Sequence, residues 1–394
     1  MRCTAVLLGL SVAYNKDGHE AVGMTAESAM AQSTHRQMKR LLGGQDAGDV
    51  AGWGHKVDDS FPGMEKLHYQ TFDDAGQPHC GPVDARVAKC DDDLCLLGAL
   101  KHFYGKVVSD EGRTMDFPQI DYGKVNAGLT FSDSDAVKML INLIGDAHQP
   151  LHLGYAGDDM GRNIKVTLQG KETTLYELWD GEMIRSIMSE GKGSFWWGGW
   201  THIQNVRDKF EAEKKAWAEE GAFARFEKWV KEGNQFACDR AYMNPSSQAK
   251  LAGGPQMAIN FGDSTYSAIR QDILDQLLLA GARTAIVLND ILSIQDASKL
   301  NKGSTVNKAI GDSSEDRDYI PPELQKVARA SRGPQFSFWV MVQNLGIGAV
   351  VVGGFLFLMN KLENGGTQTV SAMVKEATAR GKDGMRSGPV KRNE

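Results

Sequence analysis

The chain of 394 residues sets 44 Lys and Arg against 50 Asp and Glu, for a formal net charge of −6, and its isoelectric point lies near 5.9. A generally basic surface able to wrap duplex DNA is thereby excluded, because neutralising phosphates needs clustered Lys and Arg; a local groove for a single strand or a small phosphate ester stays open. With 41% hydrophobic and 24% charged residues, the composition is that of a globular core, and the length suits one domain with extensions.

The amino terminus, Met1 to Ala13, has one positive charge, a short apolar run and small residues at Ser11 and Ala13. It reads as a brief secretory signal cleaved after Ala13. Cysteine use agrees with export. Apart from Cys3, four remain, Cys80, Cys90, Cys95 and Cys238, an even number that suggests two bridges among three possible pairings. There is no Cys-x-x-Cys, so thiolate metal sites are not expected.

Residues 14–45 read as a helical segment ending before Gly43-Gly44, and residues 46–134 as loop-rich. In the next stretch, Ala136, Val137, Leu140, Ile141 and Ile144 recur at helical spacing and predict a helix packed into a core. Asn142 and Asp146, four apart, share one side of it. Pro150 bends or ends this helix, and His152 stands at its exit. A Gly-rich loop, Gly154 to Gly161, leads to a predicted strand at 164–168. Tyr176 and Asp180 are again four apart. Phe195 to Trp200 is an aromatic, Gly-rich run, read as packing. Residues 203–236 predict charged helices with an apolar stripe of Trp217, Phe223, Phe226 and Trp229, and Ser267 to Leu292 a long amphipathic helix with Thr284 as the polar interruption of its apolar face. The predicted architecture is mostly α, with the site among helices and loops and no convincing strand besides 164–168.

Beyond residue 293 the character changes. Residues 294–335 read as a polar linker. Residues 336–359 contain no charged side chain and are long enough to cross a bilayer as one helix. Gln343 and Asn344 within that run are expected to face a partner helix or an interface, and Ala349 and Gly353 have a small-xxx-small spacing. The tail, 360–394, has more Lys and Arg than Asp and Glu, which places it in the cytoplasm and the large domain outside or in a lumen, as a single-pass membrane protein of the secretory pathway.

Asp, His and Asp on helical segments are ligand types of a catalytic zinc site. The run Gly145-Asp146-Ala147-His148-Gln149-Pro150-Leu151-His152, followed by Leu178-Trp179-Asp180, resembles the zinc-dependent single-strand nucleases and 3′-nucleotidases of the S-one/P-one type, related in fold to bacterial zinc phospholipases C. The resemblance covers residues 14–293. It implies a helical phospholipase C-like domain, up to three zinc ions, and a pairing of Cys80 with Cys238 and Cys90 with Cys95.

In such proteins the amine and carbonyl of the first mature residue bind a metal together with a histidine five positions on. Cleavage after Ala13 makes Tyr14 that residue, in place of the usual tryptophan, and His19 the histidine. His68 in Leu67-His68-Tyr69 matches a ligand, and Tyr69 the aromatic on which a base stacks. Asp146 matches the carboxylate shared by two metals and the centre of catalysis, while His152 and Asp180 match ligands of the third metal. Four further positions depart from the pattern: His55 stands for an aspartate, Asn142 and Tyr176 for histidines, and Asp58 for an arginine that stabilises charge on the phosphate. His148 is expected to support the ligands or lie at the surface, and Asp58 to repel the phosphate. On these residues the amino-terminal metal position keeps its ligands, the His55–His68 position is weakened, and the His152–Asp180 position has lost a histidine.

The resemblance implies hydrolysis of single-stranded nucleic acid or 3′-nucleotides by a membrane-anchored enzyme. Two other expectations stand beside it. One is a catalytically inactive subunit that contacts membrane-protein partners through its anchor; the other is a phospholipase C acting on lipid.

Overall fold

The computed structural model describes residues 14–311, apart from 74–79, 83–85, 91–92, 110–114, 125–128, 191–202, 252–256, 295 and 304. The predicted signal at 1–13, the Phe195–Trp200 run, the span at 336–359 and the tail lie outside the described residues. Among the described residues no helix is long and apolar enough to cross a membrane.

Helix α1, Lys16–Ala29, starts where the Asn15 side chain accepts a hydrogen bond from the Gly18 amide at 3.1 Å, a cap contributing ~1 kcal/mol. Extended backbone at Met30 and Ala31 ends it before α2, Gln32–Leu41, so the single helical segment expected over 14–45 is two helices. A capping box of Asp46 and Asp49 opens the one-turn α3, Ala47–Val50, and α4 follows over Trp53–Ser60. A 3-10 stretch, Pro62–His68, leads into the short antiparallel pair β1, Phe72–Asp73, and β2, Val87–Ala88, and then α5, Leu96–Val108.

The organising element is α6, Asp133–Asp146. Its start is locked by reciprocal bonds: the Ser132 hydroxyl accepts from the Asp135 amide, and the Asp135 carboxylate accepts from the Ser132 amide. Every residue from Ser134 to Asp146 is buried, because helices cover α6 on all sides. Even Lys138 is fully covered, its ammonium 4.8 Å from the centre of the Trp53 ring. α6 stops at Asp146, and Pro150 opens a 3-10 turn, Pro150–Leu153, that carries His152.

The predicted strand is β3, Lys165–Leu168. It pairs antiparallel with β4, Lys171–Thr174, through a two-residue turn at Gln169 and Gly170, and parallel with β5, Ala258–Ile259. β4 reads Lys-Glu-Thr-Thr and carries no apolar alternation, which is why the sequence did not announce it. One turn, α7 (Leu175–Glu177), passes into a π-helical turn at Leu178–Glu182 and then α8, Met183–Glu190.

The apolar stripe of 203–236 is divided between α9, Ile203–Glu220, and α10, Ala222–Phe236, which break at Gly221. Trp217 and Trp229 stack at 5.8 Å, and Tyr104 of α5 meets Trp217 edge-on at 5.8 Å, contacts of ~0.5–1.5 kcal/mol each. The long helix α11 runs Ser264–Ile294, and Thr284 is buried within its core face. After it the chain stays on the domain. Ala297, Leu300 and Val306 are buried, and the Trp53 indole donates to Asn307 in α12, Thr305–Ile310. Packing thus continues past the boundary expected at residue 293, because these apolar residues recur within an otherwise polar stretch. Cys80 bonds to Cys238 and Cys90 to Cys95.

Candidate functional site

The exit of α6 delivers Asp146 to the centre of a buried polar cluster. Its Oδ2 accepts from His68 Nδ1 at 2.7 Å, and its Oδ1 lies 3.3 Å from His19 Nε2 and 3.6 Å from His152 Nδ1. Four elements meet here: α1 brings His19, the 3-10 stretch after α4 brings His68, α6 brings Asp146, and the turn after Pro150 brings His152. Two glycines make room. A Cβ on Gly145 would fall 2.6 Å from His19 Nδ1, and one on Gly54 would fall 2.8 Å from His68 Cε1 and 2.5 Å from Asn142 Oδ1, so both backbones can approach these side chains only without one of their own.

His55 joins from α4, its ring 4.9 Å from His19 and 5.6 Å from His68. One turn further, Asp58 turns its carboxylate to His68, with Oδ2 3.3 Å from Nε2. Donor atoms of His55, Asp58 and His68 all lie within 4.8 Å of one another, a group able to hold a metal ion. Asp58, expected to repel the phosphate, thus faces His68 from one helical turn beyond position 55.

The electrostatics divide the cluster between a neutral imidazole and charged pairs. Burial, with His19 and His68 close by, holds His55 well below the usual histidine range, so its imidazole is neutral. Burial works against a charged His68, but the carboxylates of Asp58 and Asp146 outweigh it and raise its pKa well above normal. Against its own burial, Asp146 is held well below the usual carboxylate range by His68 and His19. Several buried atoms here have no hydrogen-bond partner: both nitrogens of His19, Nε2 of His55 and of His68, Oδ1 of Asp58, Asp146 and Asn142. Buried polar atoms are nearly always paired, and so many unpaired imidazole and carboxylate atoms in one place have the form of a cation site.

The amino-terminal side is also built in. Tyr14 is fully buried, its hydroxyl donates to the His148 carbonyl, and the Asn15 amide donates to the Asp180 carbonyl. Burial together with Asp180 and Asp146 raises the Tyr14 phenol far above its normal value, so it stays neutral. His148 is buried rather than at the surface. Its Nδ1 donates to the Ile144 carbonyl, Nε2 accepts from Arg283, and burial beside that guanidinium pushes it down to about 3.

The third group differs. His152 Nδ1 donates to the His68 carbonyl at 2.7 Å, and its Nε2 meets the Tyr176 hydroxyl at 3.0 Å. Asp180, within the π-helical turn, lies 3.7 Å from His152 Nε2 and accepts from Gln149 Nε2 at 3.1 Å. Tyr69 leans its ring on His152, centroids 4.4 Å apart, which covers part of the ring expected to stack on a base. Asn142 donates to the Ala51 carbonyl at 2.7 Å. Arg162, which sequence reasoning passed over, lies against Tyr176 and donates to the Tyr69 hydroxyl; its position just after the Gly-rich loop was the one available signal.

The chain is similar to Endonuclease 2 of Arabidopsis thaliana, 24% identical over 283 residues (71% of this chain and 90% of the relative), and to Endonuclease 3 of the same plant, 25% identical over 294 residues (73% and 92%). It is also 25% identical to Nuclease S1 of Aspergillus oryzae over 185 residues, 46% of this chain and 58% of that one. The family model described as S1/P1 Nuclease matches residues 14–293, from Tyr14 to the end of the long helix. With a polar cluster centred on Asp146 and a match across most of its length, the chain belongs to the S1/P1 nuclease family.

Proposed function

We propose that this protein is a metal-dependent nuclease and 3′-nucleotidase that hydrolyses phosphodiester bonds of single-stranded nucleic acid. The observation that carries this reading is the set of imidazole and carboxylate atoms without hydrogen-bond partners on His19, His55, Asp58, His68 and Asp146, gathered in one buried place. Imidazole and carboxylate donors in this combination suit zinc. His55, Asp58 and His68 would hold one ion, with Asp146 accepting from the other ring nitrogen of His68; His19 and Asp146, with the backbone of Tyr14 as a mature amino terminus, would hold a second. A bound divalent cation supplies Lewis acidity and a nucleophile near neutral pH.

This chain's own residues do the rest. Asp146 presents one oxygen to each side and sets the spacing of the two positions. Asp58 is one-fifth exposed whereas His68 and Asp146 are covered, so substrate reaches the centre along the Asp58 and Tyr69 side. The neutrality of His55 leaves its Nε2 available as a ligand at neutral pH. Export and an anchor at 336–359 belong to the same proposal, supported by two disulfides of the kind formed in oxidising compartments.

The test is hydrolysis of a short single strand and of a 3′-nucleotide by the purified chain, with and without a chelator, beside Asp146→Asn. Activity lost on chelation and restored by zinc, and absent in Asp146→Asn, is expected; activity that survives either treatment rejects the reading. The competing reading, an inactive family member acting as a membrane subunit, draws on Asn142 and Tyr176, whose side chains are bonded to Ala51 and His152. It wins if the zinc-loaded protein hydrolyses neither substrate.

A further inference from the structure

We propose that the position formed by His152, Tyr176 and Asp180 takes no metal in this protein, and that Arg162 serves in its place as a guanidinium contact for the substrate phosphate. For its substrate this inference rests on the nuclease reading above.

The hydrogen bonds at this position run in one direction. A carbonyl can only accept, so the 2.7 Å contact to the His68 carbonyl fixes His152 Nδ1 as the protonated nitrogen. With the ring's proton on Nδ1, Nε2 accepts from the Tyr176 hydroxyl at 3.0 Å. With its proton so directed, the Tyr176 oxygen accepts from the Tyr69 hydroxyl at 3.1 Å, and the Tyr69 oxygen accepts from Arg162 Nη2 at 3.2 Å. Asp180 Oδ1 accepts from Gln149. A metal would have to break the Tyr176 bond and replace it with a neutral phenol, a poor ligand. The contrast within the one cluster is direct: the atoms around Asp58, His68 and His19 lack partners, whereas neither ring nitrogen of His152, nor the Tyr176 hydroxyl, is among them.

At the outer end of this chain the Arg162 guanidinium lies flat on Tyr176, 3.6 Å from the ring centre, and 5.5 Å from that of Tyr69. Stacked so, it has little freedom to lose on binding. Its side chain is 21% exposed while His152 is wholly covered, which puts the charge at the mouth of the site. Its contacts to Asp159, the carbonyl at 3.4 Å and the carboxylate at 3.6 Å, are long, and an arriving phosphate can replace these two. A planar guanidinium suits phosphate oxygens. It also restores a cation beside the centre, where the family's arginine is Asp58 here.

The experiment uses the full-length chain equilibrated with excess zinc and dialysed. Elemental analysis counts bound zinc, and calorimetry measures binding of inorganic phosphate. Tyr176→His should bind one more zinc than the wild type, and Arg162→Ala should weaken phosphate binding by about 10-fold or more with its zinc count unchanged. An equal zinc count in folded Tyr176→His, or phosphate affinity in Arg162→Ala within twofold of wild type, overturns the proposal. Should Tyr176→His fail to fold, the variant at the partly exposed Arg162 still decides. Neither readout needs turnover, so a wild type that hydrolyses nothing rejects the nuclease reading without touching this one.

Discussion

Replacing Asp58 by asparagine separates a metal ligand from an ordinary partner of a charged histidine. In tetrahedral coordination with bonds of ~2.0–2.2 Å, neighbouring ligand atoms stand roughly 3.3–3.5 Å apart; Asp58 Oδ2 and His68 Nε2 are 3.3 Å apart. Removing groups that only support a ligand costs ~10–100-fold in metal affinity, so losing a charged ligand should cost at least ~100-fold, or ~2.7 kcal/mol. The metal-free protein should change little. Burial already raises the Asp58 carboxyl above its usual range, against the pull of His68, so the neutral amide avoids a desolvation cost as it gives up an ion pair. Competition with a chromophoric chelator gives the affinity, and melting with and without zinc gives its linkage to folding, where a 100-fold weaker site loses up to ~2.7 kcal/mol of stabilisation. Asp59→Asn, next door and exposed, is the control. Zinc affinity of Asp58→Asn within threefold of wild type, or an equal loss in Asp59→Asn, would refute the assignment.

Gly145→Ala places a methyl group 2.6 Å from His19 Nδ1; the imidazole must move, at ~1–3 kcal/mol, and zinc bound per chain should fall, whereas unchanged zinc content and melting would mean that α1 yields freely. A second expectation concerns pH. Burial, with Asp46 nearby, raises Glu27 from 4.5 to about 7, against amide donors from Gly48 and Ala47. Between those values the folded protein keeps a proton that the unfolded chain releases, so stability falls as pH rises through this window. Glu27→Gln should remove that slope, making the variant ~1–3 kcal/mol more stable at pH 8 and no more stable at pH 4; thermal melts with parallel pH profiles for the two proteins would contradict it.

The sequence by itself determined the mostly helical class, the buried helix that carries Asp146, the strand at 164–168 and the long terminal helix. Each of these rests on local periodicity or on a local stop such as Pro150, and α6 is legible because an unbroken apolar pattern cannot be satisfied at a surface. The resemblance supplied the disulfide pairing and the list of residues to follow. Only the tertiary structure decided what those residues face. Asp58 read as a charge in the wrong place, because its partner His68 is brought to it by the turn at Pro62 rather than by any spacing along α4. His148 looked free to lie at the surface until α11 covered it with Arg283. Arg162 carried no motif at all; its role follows from the stack on Tyr176 and the bond to Tyr69, residues far from it in sequence. Periodicity reports which face of an element is buried, whereas the partner of a polar atom depends on distances and angles between elements, and these exist only once the chain has packed.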